Sequence, residues 1–212
     1  MKPKLWLAGA ASLLAFAGTG FDAAKDFDAS RNPAGTWSFG WRSALGGALN
    51  LYPKHYTTTW WGGRVAGWSR SGEGPQHGRK CCPFVAVNLS GGPVPNAGLR
   101  VPVGGMWFHP GPDGEFSVVR WTAPAPGRYS IQARFGAVSE PSVDIHILKN
   151  GASLMDESLE GRWVSYDYSL ESVVCFANDV VDFVVGYGHD HSHNGDMIGL
   201  SVNITPLGEP KR

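Results

Sequence analysis

The sequence predicts an all-β fold, a jelly-roll β-sandwich of two antiparallel sheets, on three observations. Apolar residues in the C-terminal half recur with period two, the repeat of a half-buried strand, and no segment carries a convincing 3.6-residue stripe. Turn residues interrupt these runs at intervals of roughly ten residues, the spacing of sandwiches and barrels. Gly (29) and Pro (15) are abundant with no repeat or low-complexity tract to explain them, which fits many turns between short strands. The 212 residues are enough for one sizeable core and tight for two domains, and 12% aromatic residues argue against disorder.

The elements follow in order. Lys2 and Lys4 open the chain, an apolar run covers residues 5–17, and Ala15-Phe16-Ala17 supplies a small-x-small cleavage site. Residues 1–17 therefore read as a secretory signal peptide, too short to span a bilayer, and residues 18–212 as one domain. The expected location is secreted: extracellular, cell-surface or periplasmic. Strands are expected at residues 36–41, 48–52, 56–61 and 84–89, separated by glycine-rich stretches at 62–78 and 91–105 that read as long loops. The second half is more regular. Residues 116–121 form a strand ending before Pro124. Residues 128–138 alternate, with Tyr129, Ile131, Ala133 and Phe135 on one face and Ser130, Gln132 and Arg134 on the other. Val143, Ile145 and Ile147 alternate up to Asn150-Gly151, a strong hairpin signal, and residues 152–157 return from it. Val164, Tyr166, Tyr168 and Leu170 share a face of the next strand. Residues 180–187 are apolar almost throughout, as a central strand is, and Ile198, Leu200, Val202 and Ile204 close the chain.

Two stretches carry a resemblance, residues 32–41 (Asn-Pro-Ala-Gly-Thr-Trp-Ser-Phe-Gly-Trp) and 108–129, which begins Phe108-His109-Pro110-Gly111-Pro112-Asp113-Gly114. Together they resemble a family of uncharacterised exported bacterial proteins, many of which end in a PEP-CTERM sorting tail; that tail is absent here. The segment from Trp121-Thr122-Ala123-Pro124 to Gly127-Arg128-Tyr129 is similar to carbohydrate-binding and galactose-binding-like jelly rolls. Residues 145–151 with 180–186 are similar to the jelly rolls of C1q and tumour necrosis factor. The first likeness implies sugar binding and the second trimeric protein contact.

Balanced charge, with 18 Lys and Arg against 18 Asp and Glu, gives no electrostatic reason to expect nucleic acid as a partner. No later stretch is apolar enough for a transmembrane segment. Cys81, Cys82 and Cys175 belong to an exported chain, where one disulfide is expected: Cys82–Cys175 or Cys81–Cys175, because bonding neighbours strains the peptide between them.

Three groups of residues carry candidate chemistry. Trp37, Trp41, Trp60, Trp61, Trp68 and Trp107 are six of the nine tryptophans and crowd the less regular half. Sugar rings stack their C–H faces on flat indoles, so Trp37, Trp41, Trp60, Trp61 and Trp107, with His109 beside Trp107, form the expected ligand site. The segment His189-Asp190-His191-Ser192-His193-Asn194-Gly195-Asp196 is the expected metal site. Asp190, Asn194 and Asp196 offer hard oxygens for Ca²⁺, with Asp22, Asp26 and Asp28 as further ligands; His189, His191 and His193 suit a transition metal. The carboxylates Asp113, Glu115, Asp156, Glu157 and Glu160 fall in turns, and no nucleophile motif is present, so no catalytic residue is assigned. The leading reading is a secreted non-catalytic module that binds carbohydrate or another extracellular polymer. The alternative is a self-associating surface protein forming a trimer or filament. A hydrolase with an unrecognised site is the third.

Overall fold

The computed structural model describes residues 20–96 and 99–207; the signal peptide expected at 1–17 lies outside them. Sixteen strands are seen among the described residues: β1 (Phe21–Asp22), β2 (Trp37–Arg42), β3 (Asn50–Leu51), β4 (Lys54–Trp60), β5 (Gly63–Ser69), β6 (Phe84–Asn88), β7 (Val94–Asn96), β8 (Leu99–Val101), β9 (Met106–His109), β10 (Phe116–Thr122), β11 (Gly127–Ala137), β12 (Ser142–Lys149), β13 (Ala152–Glu160), β14 (Ser165–Cys175), β15 (Val180–Val185) and β16 (Ile198–Leu207). The helical content of the described residues is one 3₁₀ segment, Pro75–Lys80.

Fourteen of the strands form two antiparallel sheets packed face to face, the β-sandwich expected from the period-two pattern, and β7 and β8 pair with each other as a separate hairpin. One runs β14-β11-β16-β9-β6-β5-β4, with β1 also paired to β16; the other runs β13-β12-β15-β10-β2-β3. The alternating residues of β11 turn Tyr129, Ile131, Ala133 and Phe135 into the space between the sheets, where they meet Ile198, Leu200, Val202 and Ile204 of β16 and Ile145, Ile147, Phe183 and Val185 of the opposite sheet.

The glycine-rich stretches are more ordered than expected. Residues 62–78 contain the whole of β5, and 91–105 contain the β7–β8 hairpin. Two glycines that suggested a loop are instead sites of close approach within a strand. A Cβ on Gly67 would lie 2.4 Å from both the Tyr56 hydroxyl and the Val85 carbonyl, and one on Gly63 would lie 2.2 Å from a Val94 methyl.

A second apolar cluster, including Tyr56, Trp60, Val65, Phe84, Ala86, Val94, Val101 and Trp107, lies on the outer side of β4, β5, β6 and β9. The β7–β8 hairpin and the 3₁₀ segment cover this half of the outer face. The other half, across β16, β11 and β14, is uncovered, and this division positions the candidate site.

Candidate functional site

The uncovered half of the outer face is built in rungs. The β11 register sets Gln132 opposite Ser169 on β14 and Asn203 on β16. Two residues on, Arg134 stands opposite Asp167 and Ser201, and then Gly136 opposite Ser165 and Gly199. Successive side chains of a strand point to opposite faces, so burying Ile131, Ala133 and Phe135 presents Gln132, Arg134 and Gly136 outward together.

Arg134 holds the middle rung. Its Nη1 donates to Asp167 Oδ1 (2.8 Å) and Oδ2 (2.6 Å), and its Nη2 donates to Ser165 Oγ (2.7 Å). The third rung carries no side chains on β11 and β16, which lowers the floor there. A Cβ at Gly136 would touch little, its nearest neighbour being the Ser165 Cβ at 4.0 Å. A groove of about 570 Å³ opens over this floor. Trp163 walls it on the β14 side; Val101–Met106 and the Asp22–Lys25 turn close the other side. A polar depression over Gln132, Asp167, Ser169, Ser201 and Asn203 adjoins it and shares Arg134 and Ser201.

Trp163 is the residue sequence reasoning missed. Its indole is 73% exposed, the largest exposure among the large apolar side chains, and its backbone sits at φ 66, in the left-handed region. That conformation is costly for a bulky residue and collects at functional positions. It follows Gly161 (φ 86) in the tight β13–β14 connection, so the indole stands off the sheet rather than continuing the strand. An isolated Trp two residues after a turn glycine, ahead of a polar alternation at Ser165, Asp167 and Ser169, was the available signal.

The sequence-predicted ligand site is not assembled as expected. Trp37 and Trp107 are fully buried and Trp60 nearly so. Trp37 fills the sandwich core, where its Nε1 donates to Asp26 Oδ2 (3.2 Å), and Trp60 stacks on Trp107 at 5.8 Å beneath the β7–β8 hairpin. These indoles supply the volume of two apolar layers and present no face to a ligand. Trp41 is half-buried, with the Arg70 guanidinium over its ring at 4.3 Å. Trp61 is exposed at the β4–β5 turn, where its ring stands edge-on to Trp60 at 6.3 Å, so of the Trp60–Trp61–Trp107 row it is the one indole left open to solvent. His109 is 7% exposed and packs on Phe84; its Nδ1–H donates to Pro110 O (2.8 Å). Burial pushes its pKa down to about 4, and the neighbouring His193 acts in the same direction.

The expected metal residues turn away from one another. Asp190 Oδ1 accepts the Ser192 N–H (3.0 Å), and Asn194 stays exposed. His189 pairs with Glu160, His191 with Tyr187, and His193 faces His109. Asp196 points inward, where its Oδ1 accepts the Ser142 N–H (3.0 Å). Asp22, Asp26 and Asp28 accept hydrogen bonds from their own segment, at Ala24, Asp22 and Ser30 respectively. Among the described residues, no group of three or more His, Cys, Asp or Glu is placed to hold a metal ion.

The expected disulfide is absent: Cys81, Cys82 and Cys175 are all free. Cys175 belongs to the core between the sheets, whereas Cys81 packs in the outer cluster, so the eight-stranded sheet lies between them.

No family model matches this chain, and no curated protein matches it; the resemblance to PEP-CTERM-associated proteins gains no support. Among solved structures, it is similar in part to a family 35 carbohydrate binding module from Clostridium thermocellum, at 12% identity and a TM-score of 0.30 over 44% of this chain and 72% of that one. A structure described as "CBM4 structure and function" gives 15% and 0.33 over 51% and 74%. The CBM35 from Paenibacillus barcinonensis gives 15% and 0.32 over 54% and 89%. Likeness at this level establishes neither a family nor a role.

Proposed function

We propose that this chain is a non-catalytic carbohydrate-binding module that holds a glycan in the groove across β14, β11 and β16. The observation that carries this reading is the pairing of an exposed indole, Trp163, with rungs of amide, carboxylate and guanidinium groups. Sugars need both: an apolar C–H face for stacking, and hydroxyl groups that donate and accept at once. Gln132 and Asn203 offer both roles through one planar group, and the Arg134–Asp167 pair offers fixed donors beside acceptors. The ion pair also balances the charge of the floor, which favours a neutral glycan.

Isothermal titration against a panel of soluble polysaccharides tests the reading. Trp163→Ala is expected to weaken binding by about tenfold or more, a loss of about 1.4 kcal/mol or more. Trp61→Ala removes the exposed indole of the other half and is expected to leave affinity unchanged. Binding lost in Trp61→Ala and kept in Trp163→Ala would overturn the assignment. Binding abolished by EDTA would move the site to the His189–Asp196 segment and Ca²⁺.

A further inference from the structure

We propose that Cys81 and Cys82 form a reversible vicinal disulfide, made by thiol–disulfide exchange with a small-molecule disulfide. Their sulfurs are 3.4 Å apart, so both side chains leave the backbone on the same side and already touch. Closing that gap to a covalent S–S distance of about 2.0 Å takes rotation about χ1 on both residues together with distortion of the peptide between them. Neither sulfur has another cysteine within reach, because Cys175 is sealed in the core on the far side of the sheet. Bonding of sequence neighbours strains the ring, and strain makes a disulfide easier to reduce, which is what makes this one reversible.

Access sets the order of events. Cys82 is partly exposed and Cys81 is buried, so Cys82 meets the oxidant first. The Cys82 thiolate attacks one sulfur of an external disulfide RSSR, forming Cys82–S–SR and releasing RS⁻. Cys81, having lost its proton, attacks the Cys82 sulfur and expels the second RS⁻. The two thiol protons pass to the two thiolates, so RSSR is reduced to 2 RSH while the protein pair is oxidised. The neighbouring Cys81 and burial push the Cys82 thiol up from its ordinary pKa, so exchange is slow at neutral pH and accelerates as pH rises.

The local fold can survive closure. Both thiols point at the Gly78 carbonyl, Cys81 Sγ at 2.9 Å and Cys82 Sγ at 3.7 Å, and oxidation removes these donors. Gly78 O keeps the Cys81 backbone N–H at 3.0 Å, so the end of the 3₁₀ segment stays closed.

The test is oxidation of the purified protein with glutathione disulfide, then denaturation, alkylation and peptide mass mapping. The expected product has Cys175 alkylated, Cys81 and Cys82 unalkylated, and the peptide holding them lighter by two hydrogens; dithiothreitol restores alkylation of all three. Cys81→Ser should trap a stable glutathione adduct on Cys82, and Cys175→Ser should oxidise as the parent does. A persistent adduct on Cys82 in the parent, a Cys82-linked dimer, or three alkylated cysteines after oxidation at raised pH would each overturn the proposal.

Discussion

Asp196 shows how far one buried group can bias the molecule. It is fully buried, one carboxylate oxygen accepts from Ser142 and the other, Oδ2, has no hydrogen-bond partner. Burial pushes its pKa up from 3.8 to about 7; the Ser142 bond opposes this, and Asp190 and Asp144 reinforce it. Because the folded value lies above the unfolded one, the folded state keeps the proton longer. The contribution of this group to stability is therefore complete below the unfolded pKa and is lost as pH rises through about 7. Asp196→Asn keeps an acceptor for Ser142 and removes the titration. Urea unfolding across pH 4 to 8 should show the parent losing stability relative to the variant, with the variant the more stable above pH 7. Parallel curves would show that Asp196 does not titrate in this window. Such a residue was visible in the sequence only as a candidate ligand, because burial and charge neighbours are set by the fold. The tryptophans show the same limit. Composition revealed that Trp crowds the N-terminal half, but an indole on a strand reads alike whether it lines a groove or a core.

The strands of the C-terminal half were legible because each buries one face and wets the other, so their period and the Asn150-Gly151 turn are written in residue type. The alternation even separated Gln132 and Arg134 from the core face. It did not mark them as a site, because polar residues on the wet face of a strand are the ordinary case, and only the register across β14, β11 and β16 stacks them into rungs. Strand β5 was illegible for a different reason. Its glycines signal a loop by propensity, yet the strand packs so closely on Tyr56, Val85 and Val94 that a side chain would not fit. Gly67→Ala tests this: the added methyl must displace both the Tyr56 hydroxyl and the β6 backbone at Val85. The expected cost is about 1–3 kcal/mol, read as a lower urea midpoint at unchanged m-value. A variant as stable as the parent would show that β5 has slack and that its glycine is a matter of sequence history.

The two outer faces decide between binding and self-association. A trimer or filament built face to face needs a broad apolar patch, and among the described residues most apolar side chains on the outer sheet faces are covered. On the six-stranded sheet, Leu45 and Leu49 from the β2–β3 connection pack over Val118, Leu148 and Val184. Farther along, Asp182 is buried between Arg42 and Arg120. On the eight-stranded sheet, one half is sealed under the β7–β8 hairpin and the other carries the polar depression and the groove beside it. The exposed large apolar residues that remain are scattered: Trp61, Leu89, Val103, Trp163 and Phe176 sit on turns and connections, Leu51 on the two-residue β3 and Val174 at the end of the edge strand β14. Light scattering coupled to gel filtration is therefore expected to give a monomer across a wide concentration range. Trp163→Ala should not change the result, because one indole at the wall of a groove is far less area than a stable interface between two copies needs. A parent that assembles, and a Trp163→Ala variant that falls apart, would turn the groove from a glycan site into a subunit interface.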